Sequence, residues 1–387
     1  MTVSSVPPAD PDLSRRTWRR SIAADGSSTL GVGVIGYGYW GPNLVRNFAE
    51  TTDTRVVAVS DLRSERLEQV NARFPAVTTS TDHRDLLRHP EVDVIVVATP
   101  VGSHFELARQ ALKAGKHVLV EKPLASTVEE CERLVELAQR NNLTLMVDHT
   151  FVYTGAVQRI KQLVDGGQLG RLYYWDSVRV NLGLFQPDVS VLADLAVHDL
   201  AIMDYVIDAR PVAVAATGVA HVPGRLVNTA YVTCFFEGDL LAHFHVNWLA
   251  PVKVRRTLIG GDQRMIVYDD IEPSEKIKVY DSGITLDVGD RGRYEMMVGY
   301  RAGDVWAPRL SLTEALSVEV QHFVDCVRER RQPLTDGYAG LRTVSILEAA
   351  ARSLAERGRP VELAWGDMDA DSSTRSQSPV PESQASA

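Results

Sequence analysis

"VGVIGYGYWGPNLVRNF", residues 32–48, is an apolar β-branched run, three glycines in the spacing Gly36-Tyr37-Gly38-Tyr39-Trp40-Gly41, and then apolar residues at helical spacing. A strand, a tight turn and a helix follow one another. Three glycines alone make an ordinary turn, but a GxGxxG between strand and helix, with an acid closing the next strand, fits a dinucleotide pyrophosphate. The acid is Asp61, at the end of "RVVAVSD". Gly36 permits the turn, Gly38 lets backbone N–H groups approach a phosphate at the positive end of the helix, and Gly41 allows close helix packing. Pro42 suits a first helical turn, where its missing N–H costs little. A carboxylate at 61 hydrogen-bonds ribose hydroxyls and repels a 2′-phosphate, which favours NAD over NADP, although Arg63 stands two residues away.

Outward from this stretch, residues 30–150 alternate apolar runs ("GVGVIG", "RVVAVSD", "VDVIVVAT", "HVLVEKP", "LTLMVDH") with amphipathic stretches such as "SERLEQVNARF". Continuous runs separated by helices predict a parallel sheet covered on both faces, an α/β domain. From residue 151 to 366 the pattern changes to alternating segments ("LYYWDSVRVN", "NTAYVTCFFEG", "LLAHFHVNWLA") with helices near 194–207 and 314–329. That predicts an α+β domain built on a mostly antiparallel sheet. Residues 1–29 and 367–387 are polar, low in complexity and read as disordered tails; the basic "RRTWRR" lacks the following apolar region of an export signal.

Composition narrows the function. A formal charge of −9 disfavours a nucleic-acid or anionic-membrane partner. Three scattered cysteines form neither a disulfide framework nor a metal knuckle, which suits a reducing cytoplasm. No apolar run approaches the roughly 18 residues of a membrane span. His243 and His245 alternate on one strand, but no third ligand stands at recognisable spacing, so no metal is expected.

Charge stands where solubility does not ask for it. "EKP" (Glu121, Lys122, Pro123) ends the run "HVLV", and "ATP" (Ala98, Thr99, Pro100) ends the preceding one. Ligands of open parallel sheets sit at those carboxyl ends. Lys122 is then either a cation in the crevice or a solvated lysine with a snorkelling stem. Further on, "SVLADLAVHDLAIMDYVI" places Asp194 and His198 four residues apart, on one face of an α-helix. Asp194 also fits a helix cap, and His198 a packed residue.

Together, "GVIGYGYWG", "VSD", "ATP" with His104, "GKHVLVEKPLA" and "DLAVHDL" resemble the glucose-fructose oxidoreductase/inositol dehydrogenase/rhizopine catabolism (Gfo/Idh/MocA) family over about residues 30–365. The resemblance implies a Rossmann domain followed by a large open, mostly antiparallel sheet. It also implies homodimers or homotetramers formed through that sheet, and NAD(P)-dependent oxidation of a sugar or polyol carbon. It matches Lys122, Asp194 and His198 to the family's catalytic groups. His198 is the better general base, Lys122 binds the same oxygen, and Asp194 orients substrate or His198. Ala196 stands where many relatives have glycine. The resemblance places Thr99, Pro100, His104 and Glu121 beside the cofactor. "MVDHTFVYTGAV" leaves His149 and Tyr153 near the cleft, and Arg179, Asn181 and Gln186 are candidates for reading a hydroxylated or phosphorylated substrate. "VNLGLFQPDVSVLADLAVHDL" and "HVNWLAPVKVRRTLIGG" look most like the nucleotide-sugar 3-dehydrogenase branch; a free polyol such as an inositol is the alternative substrate. Trp248 reads as sheet packing rather than a stacking platform, and "KVRR" (253–256) as one exposed strand face or interface charge.

Overall fold

The computed structural model describes residues 29–183, 189–223, 226–287 and 297–365. Both expected tails and Gln186 lie outside the described residues. The first unit runs β1 (Leu30–Ile35), α1 (Gly41–Glu50), β2 (Thr54–Ser60), α2 (Ser64–Arg73), β3 (Thr78–Ser80), α3 (His83–Arg88), β4 (Val94–Val97), α4 (His104–Lys113), β5 (His117–Glu121), α5 (Val128–Arg140) and β6 (Leu145–Asp148). The six strands pair in parallel in the order β3-β2-β1-β4-β5-β6. The order reverses between β1 and β4, and the crevice for a ligand opens outside their carboxyl ends. Val94–Val97 are all buried, which is why β4 reads as a run rather than an alternation. On α1, Leu44, Val45 and Phe48 are fully buried, each contributing roughly 1.5–3 kcal/mol of transfer free energy.

The second unit adds α6 (Gly155–Asp165), β7 (Leu172–Leu182), α7 (Val197–Val206), β8 (Pro211–Val219), β9 (Thr229–Phe236), β10 (Leu241–Asn247), β11 (Leu249–Gly261), β12 (Met265–Asp269), β13 (Ile277–Tyr280), β14 (Gly283–Asp287), β15 (Met297–Arg301), β16 (Val305–Trp306), α8 (Ala315–Glu329), α9 (Gly337–Ala355) and β17 (Val361–Glu362). Nine strands form one sheet, β16-β13-β12-β11-β7-β10-β9-β8-β17. It is antiparallel except where β10 runs parallel to β7. Alternation sends Val232, Cys234, Phe244 and Val246 into a core shared with Ile160, Leu200, Met203 and Ile346 from the helices. The opposite face carries Tyr174, Tyr231, Leu241, His243 and His245 and, among the described residues, is not covered by helices. The register of β11 shifts between Leu249 and Val254, around Pro251, which has no N–H for the ladder.

The two units are not separate in sequence. Leu316, Val320, Phe323 and Val324 of α8 share a core with Val94, Leu119 and Met146, and Leu341 and Val344 of α9 share another with Val118, Val120 and Val147. No helix among the described residues is long and apolar enough to cross a membrane.

Candidate active site

The glycine turn separates into structural and ligand-facing positions. Gly36 has φ +98°, and a Cβ there would lie 2.4 Å from the Ala98 carbonyl oxygen; at Gly41 it would lie 2.3 Å from the Gly36 oxygen. At Gly38 it would meet only Arg63 Nη2, 4.0 Å away, so the protein itself does not require that glycine. The space in front of it is open for a ligand to back against the loop. Helix α1 begins there with no side-chain cap and no acid in its first turn, leaving its positive end for an anion. Asp61 closes β2 and braces the turn: Oδ2 accepts from Tyr37 N at 2.8 Å and Oδ1 from Arg63 N at 3.0 Å. Tyr39 and Leu62 stand 92% and 88% exposed beside it, apolar surface suited to a flat ring. These features fit a dinucleotide.

Lys122 does reach across. At the end of β5, before a cis peptide bond to Pro123, its Nζ donates to the main-chain oxygen of Asp194 at 3.1 Å and lies 3.4 Å from Asp194 Oδ1. The segment Leu192–Ala196 is a π turn rather than α-helix. The wide turn lets one residue bulge out of the helical spacing, a distortion frequent at functional sites. It hands the Asp194 carboxylate to two partners: Lys122 on Oδ1, and Trp248 Nε1, which donates to Oδ2 at 3.1 Å. Neither oxygen meets His198, so Asp194 does not orient the imidazole, one of the two roles expected for it. Trp248 is more than sheet packing, and no residue spacing could have paired it with a helix 54 positions away.

His198 is held by stacking instead. The Phe151 ring meets it edge-on, centroids 4.9 Å apart, while the guanidinium carbons of Arg179 and Arg255 lie 4.6 and 5.3 Å from the Phe151 centroid. His198 Nδ1 is sealed in without a hydrogen-bond partner, which leaves Nε2 as the nitrogen available to a ligand. Burial, then Lys122, Arg179, His149 and Arg255, hold the imidazole well below its ordinary pKa, so it is neutral. Arg179 is only 2% exposed and makes a bidentate pair with Asp199, at 2.9 and 2.7 Å. Expected as a substrate reader, it works from behind the site. Arg255 turns inward to Asp270 at 3.1 Å, so "KVRR" is not one exposed face; Lys253 and Arg256 are exposed.

Other candidates lie deeper than expected. His104, 1% exposed, has Nδ1 2.8 Å from the Pro123 oxygen and Nε2 2.7 Å from the Thr99 oxygen, tying the two strand-end loops together. Tyr153 is in the core, not the cleft, its hydroxyl 3.1 Å from Thr335 Oγ1. His149 is 2% exposed with both ring nitrogens unpartnered, and burial lowers its pKa to about 4. Asn181 is partly exposed at the end of β7, and Pro100 is exposed beside Thr99. Glu121 lies beside Asp148, its partner in the β5–β6 register, and burial followed by the Asp148 charge raises its pKa well above the carboxylate range. Asp148 Oδ2 accepts from Trp40 Nε1 at 2.8 Å, which ties the glycine turn to the strand end next to Lys122. Fully buried Glu319 of α8 faces the same pair, its pKa also raised by burial and then by Asp148. Among the described residues no group of three or more His, Cys, Asp or Glu side chains is placed to hold a metal ion.

Residues 30–149 match the model of an oxidoreductase family described as an NAD-binding Rossmann fold, and residues 157–267 match the Gfo/Idh/MocA C-terminal domain. The two matches span more than half of the chain. The chain belongs to the Gfo/Idh/MocA oxidoreductases. This family member is similar to UDP-N-acetylglucosamine 3-dehydrogenase of Acidithiobacillus ferrooxidans, at 29% identity over 81% of this chain and 93% of the relative. A solved structure of that enzyme superposes with a TM-score of 0.71 at 25% identity, covering 84% of this chain and 98% of the other. Myo-inositol 2-dehydrogenase of Thermotoga maritima is 25% identical over 86% of this chain and 98% of the relative. An Agrobacterium radiobacter oxidoreductase solved in complex with NAD+, L-tartaric acid and magnesium shares the fold, with a TM-score of 0.72 at 19% identity, covering 87% of this chain and 98% of the other. This Gfo/Idh/MocA protein is therefore an NAD-binding oxidoreductase.

Proposed function

We propose that this oxidoreductase is a dehydrogenase acting on a secondary alcohol of a nucleotide-activated sugar. The observation that carries the dehydrogenase assignment is the meeting of Lys122 with Asp194 at the carboxyl end of β5, one helical turn from a neutral His198. The preference for a nucleotide sugar over a free polyol is supported by near-full-length similarity, 29% identity over 81% of this chain to the UDP-N-acetylglucosamine enzyme against 25% over 86% to the Thermotoga maritima inositol enzyme; an inositol 2-dehydrogenase of Saccharopolyspora erythraea is 33% identical over 51% of the chain. NAD+, when bound, supplies the hydride acceptor. His198 takes the hydroxyl proton on Nε2, while the Lys122 ammonium donates a hydrogen bond to the same oxygen as negative charge develops there. Asp194 acts on Lys122, holding its ammonium at the strand end. Asp61 suits the adenosine ribose, and Arg63 folds onto Asp61, 3.5 Å away, rather than presenting itself to a 2′-phosphate; both favour NAD over NADP. The uncovered face of the nine-stranded sheet is the proposed contact between copies.

Panels of UDP-sugars and of inositols incubated with NAD+, read as absorbance at 340 nm, separate the substrates. Turnover with UDP-sugars is expected, and turnover of inositols alone would sink the nucleotide-sugar assignment. Lys122→Ala is expected to keep NAD affinity while kcat falls by at least about a hundredfold, the scale for one preorganised group. Near-normal turnover in that variant refutes the dehydrogenase site as drawn.

A further inference from the structure

The Lys122–Asp194 pair has a third member that comes from the large sheet. Trp248, between β10 and β11, is 1% exposed. A buried indole needs an acceptor for its N–H, and the acceptor here is a carboxylate whose other oxygen faces Lys122. The indole is itself fixed. Trp248 N donates to the Asn228 oxygen at 2.9 Å, and the Trp248 oxygen accepts from Gly183 N at 3.0 Å. A Cβ on Gly183 would lie 2.2 Å from Trp248 Cδ1, so the ring lies flush against that glycine. Asp194 lies on the π turn, and the partners of its two carboxylate oxygens, Lys122 and Trp248, both come from outside its own helix.

We propose that Trp248 is a positioning residue for the dehydrogenase site: its indole N–H pins Asp194 Oδ2 so that Oδ1 and the main-chain oxygen hold the Lys122 ammonium. Removing the N–H frees the carboxylate to rotate, and Lys122 loses its fixed direction without losing its charge. The inference rests on the assignment of Lys122 to the reacting oxygen.

The test is a double-mutant cycle on the full chain with Trp248→Phe and Asp194→Asn, reading kcat, KM for NAD+ and Tm. Trp248→Phe is expected to lower kcat about tenfold, the loss of one hydrogen bond to a charged group, with KM for NAD+ within about twofold. In the Asp194→Asn background the same change is expected to cost little more, because its target is already altered. Full additivity of the two effects, or an unchanged kcat in Trp248→Phe, overturns the proposal. If the Phe variant does not fold, Trp248→His and Trp248→Leu are compared, since both are smaller and only histidine returns a ring N–H. Higher kcat in the His variant at matched Tm supports the anchor, and equal kcat removes it. Should Lys122→Ala itself remain active, the dehydrogenase assignment fails first; if Lys122→Ala is inactive and the cycle is additive, only the role of Trp248 fails.

Discussion

A general base works in its neutral form, and His198, the proposed base, is held neutral by burial and the cations around it. The desolvated ring is flanked by Lys122, Arg179 and Arg255, all of which oppose its protonation. With the pKa below its ordinary value, the base is ready at and above neutral pH and is lost only as pH falls through that lowered value. The rate profile of kcat/KM is therefore expected to be flat between pH 6 and 8, with its acid limb well below 6.5. Arg255→Gln removes one of the opposing cations, so the pKa of His198 rises and the limb moves toward neutral pH. A wild-type inflection near 6.5, or an unmoved limb in the variant, contradicts this account. Lys122, Asp194 and His198 could be named from the sequence because the family resemblance singles them out; position alone left each with a structural reading. Their partners could not be, because Trp248, Phe151 and Arg255 carry no local pattern that distinguishes them from sheet packing.

At the scale of elements, the two glycines of the turn separate fold from binding. Gly36→Ala places a Cβ against the Ala98 carbonyl at a positive φ and is expected to destabilise the protein by about 1–3 kcal/mol, measured by denaturant unfolding. Gly38→Ala meets only Arg63 Nη2, at van der Waals range, and is expected to unfold as wild type while KM for NAD+ rises at least about tenfold, since backbone approach to the pyrophosphate is blocked. Equal KM values in wild type and Gly38→Ala would show that the pyrophosphate does not lie there. The apolar runs of β1, β2, β4, β5 and β6 were readable because buried parallel strands are continuously apolar. The three-residue β3, "TTS", carries no such signal, and it was missed. The i, i+4 reading of Asp194 and His198 assumed α-helical spacing; the π turn changed the partner of the aspartate, and such turns leave no mark in hydrophobic periodicity.

For the whole molecule, the uncovered sheet face is the feature without an intramolecular partner among the described residues. Tyr231 is 43% exposed on β9, an interior strand of the sheet, stacked on His245 with centroids 4.5 Å apart. A face of this kind is the proposed contact between copies. Tyr231→Glu is expected to shift the protein to a smaller species by light scattering coupled to size exclusion, with an unchanged circular dichroism spectrum. A wild-type monomer refutes the assignment of this face. The switch from runs to alternation told a parallel sheet from a mostly antiparallel one, yet it did not show which sheet the last helices cover. Helix faces announce that they are buried, not against what.

The helices α8 and α9 fill the core beneath β4, β5 and β6 from the far end of the chain. During synthesis, then, the nucleotide-binding half leaves the ribosome before the surface that completes it. Leu119, Met146 and Val147 stay uncovered until residues 316–344 have been made, so this half is not a module that can be excised or grafted at residue 150. The interval during which that surface stays open is set by the time taken to translate the second sheet.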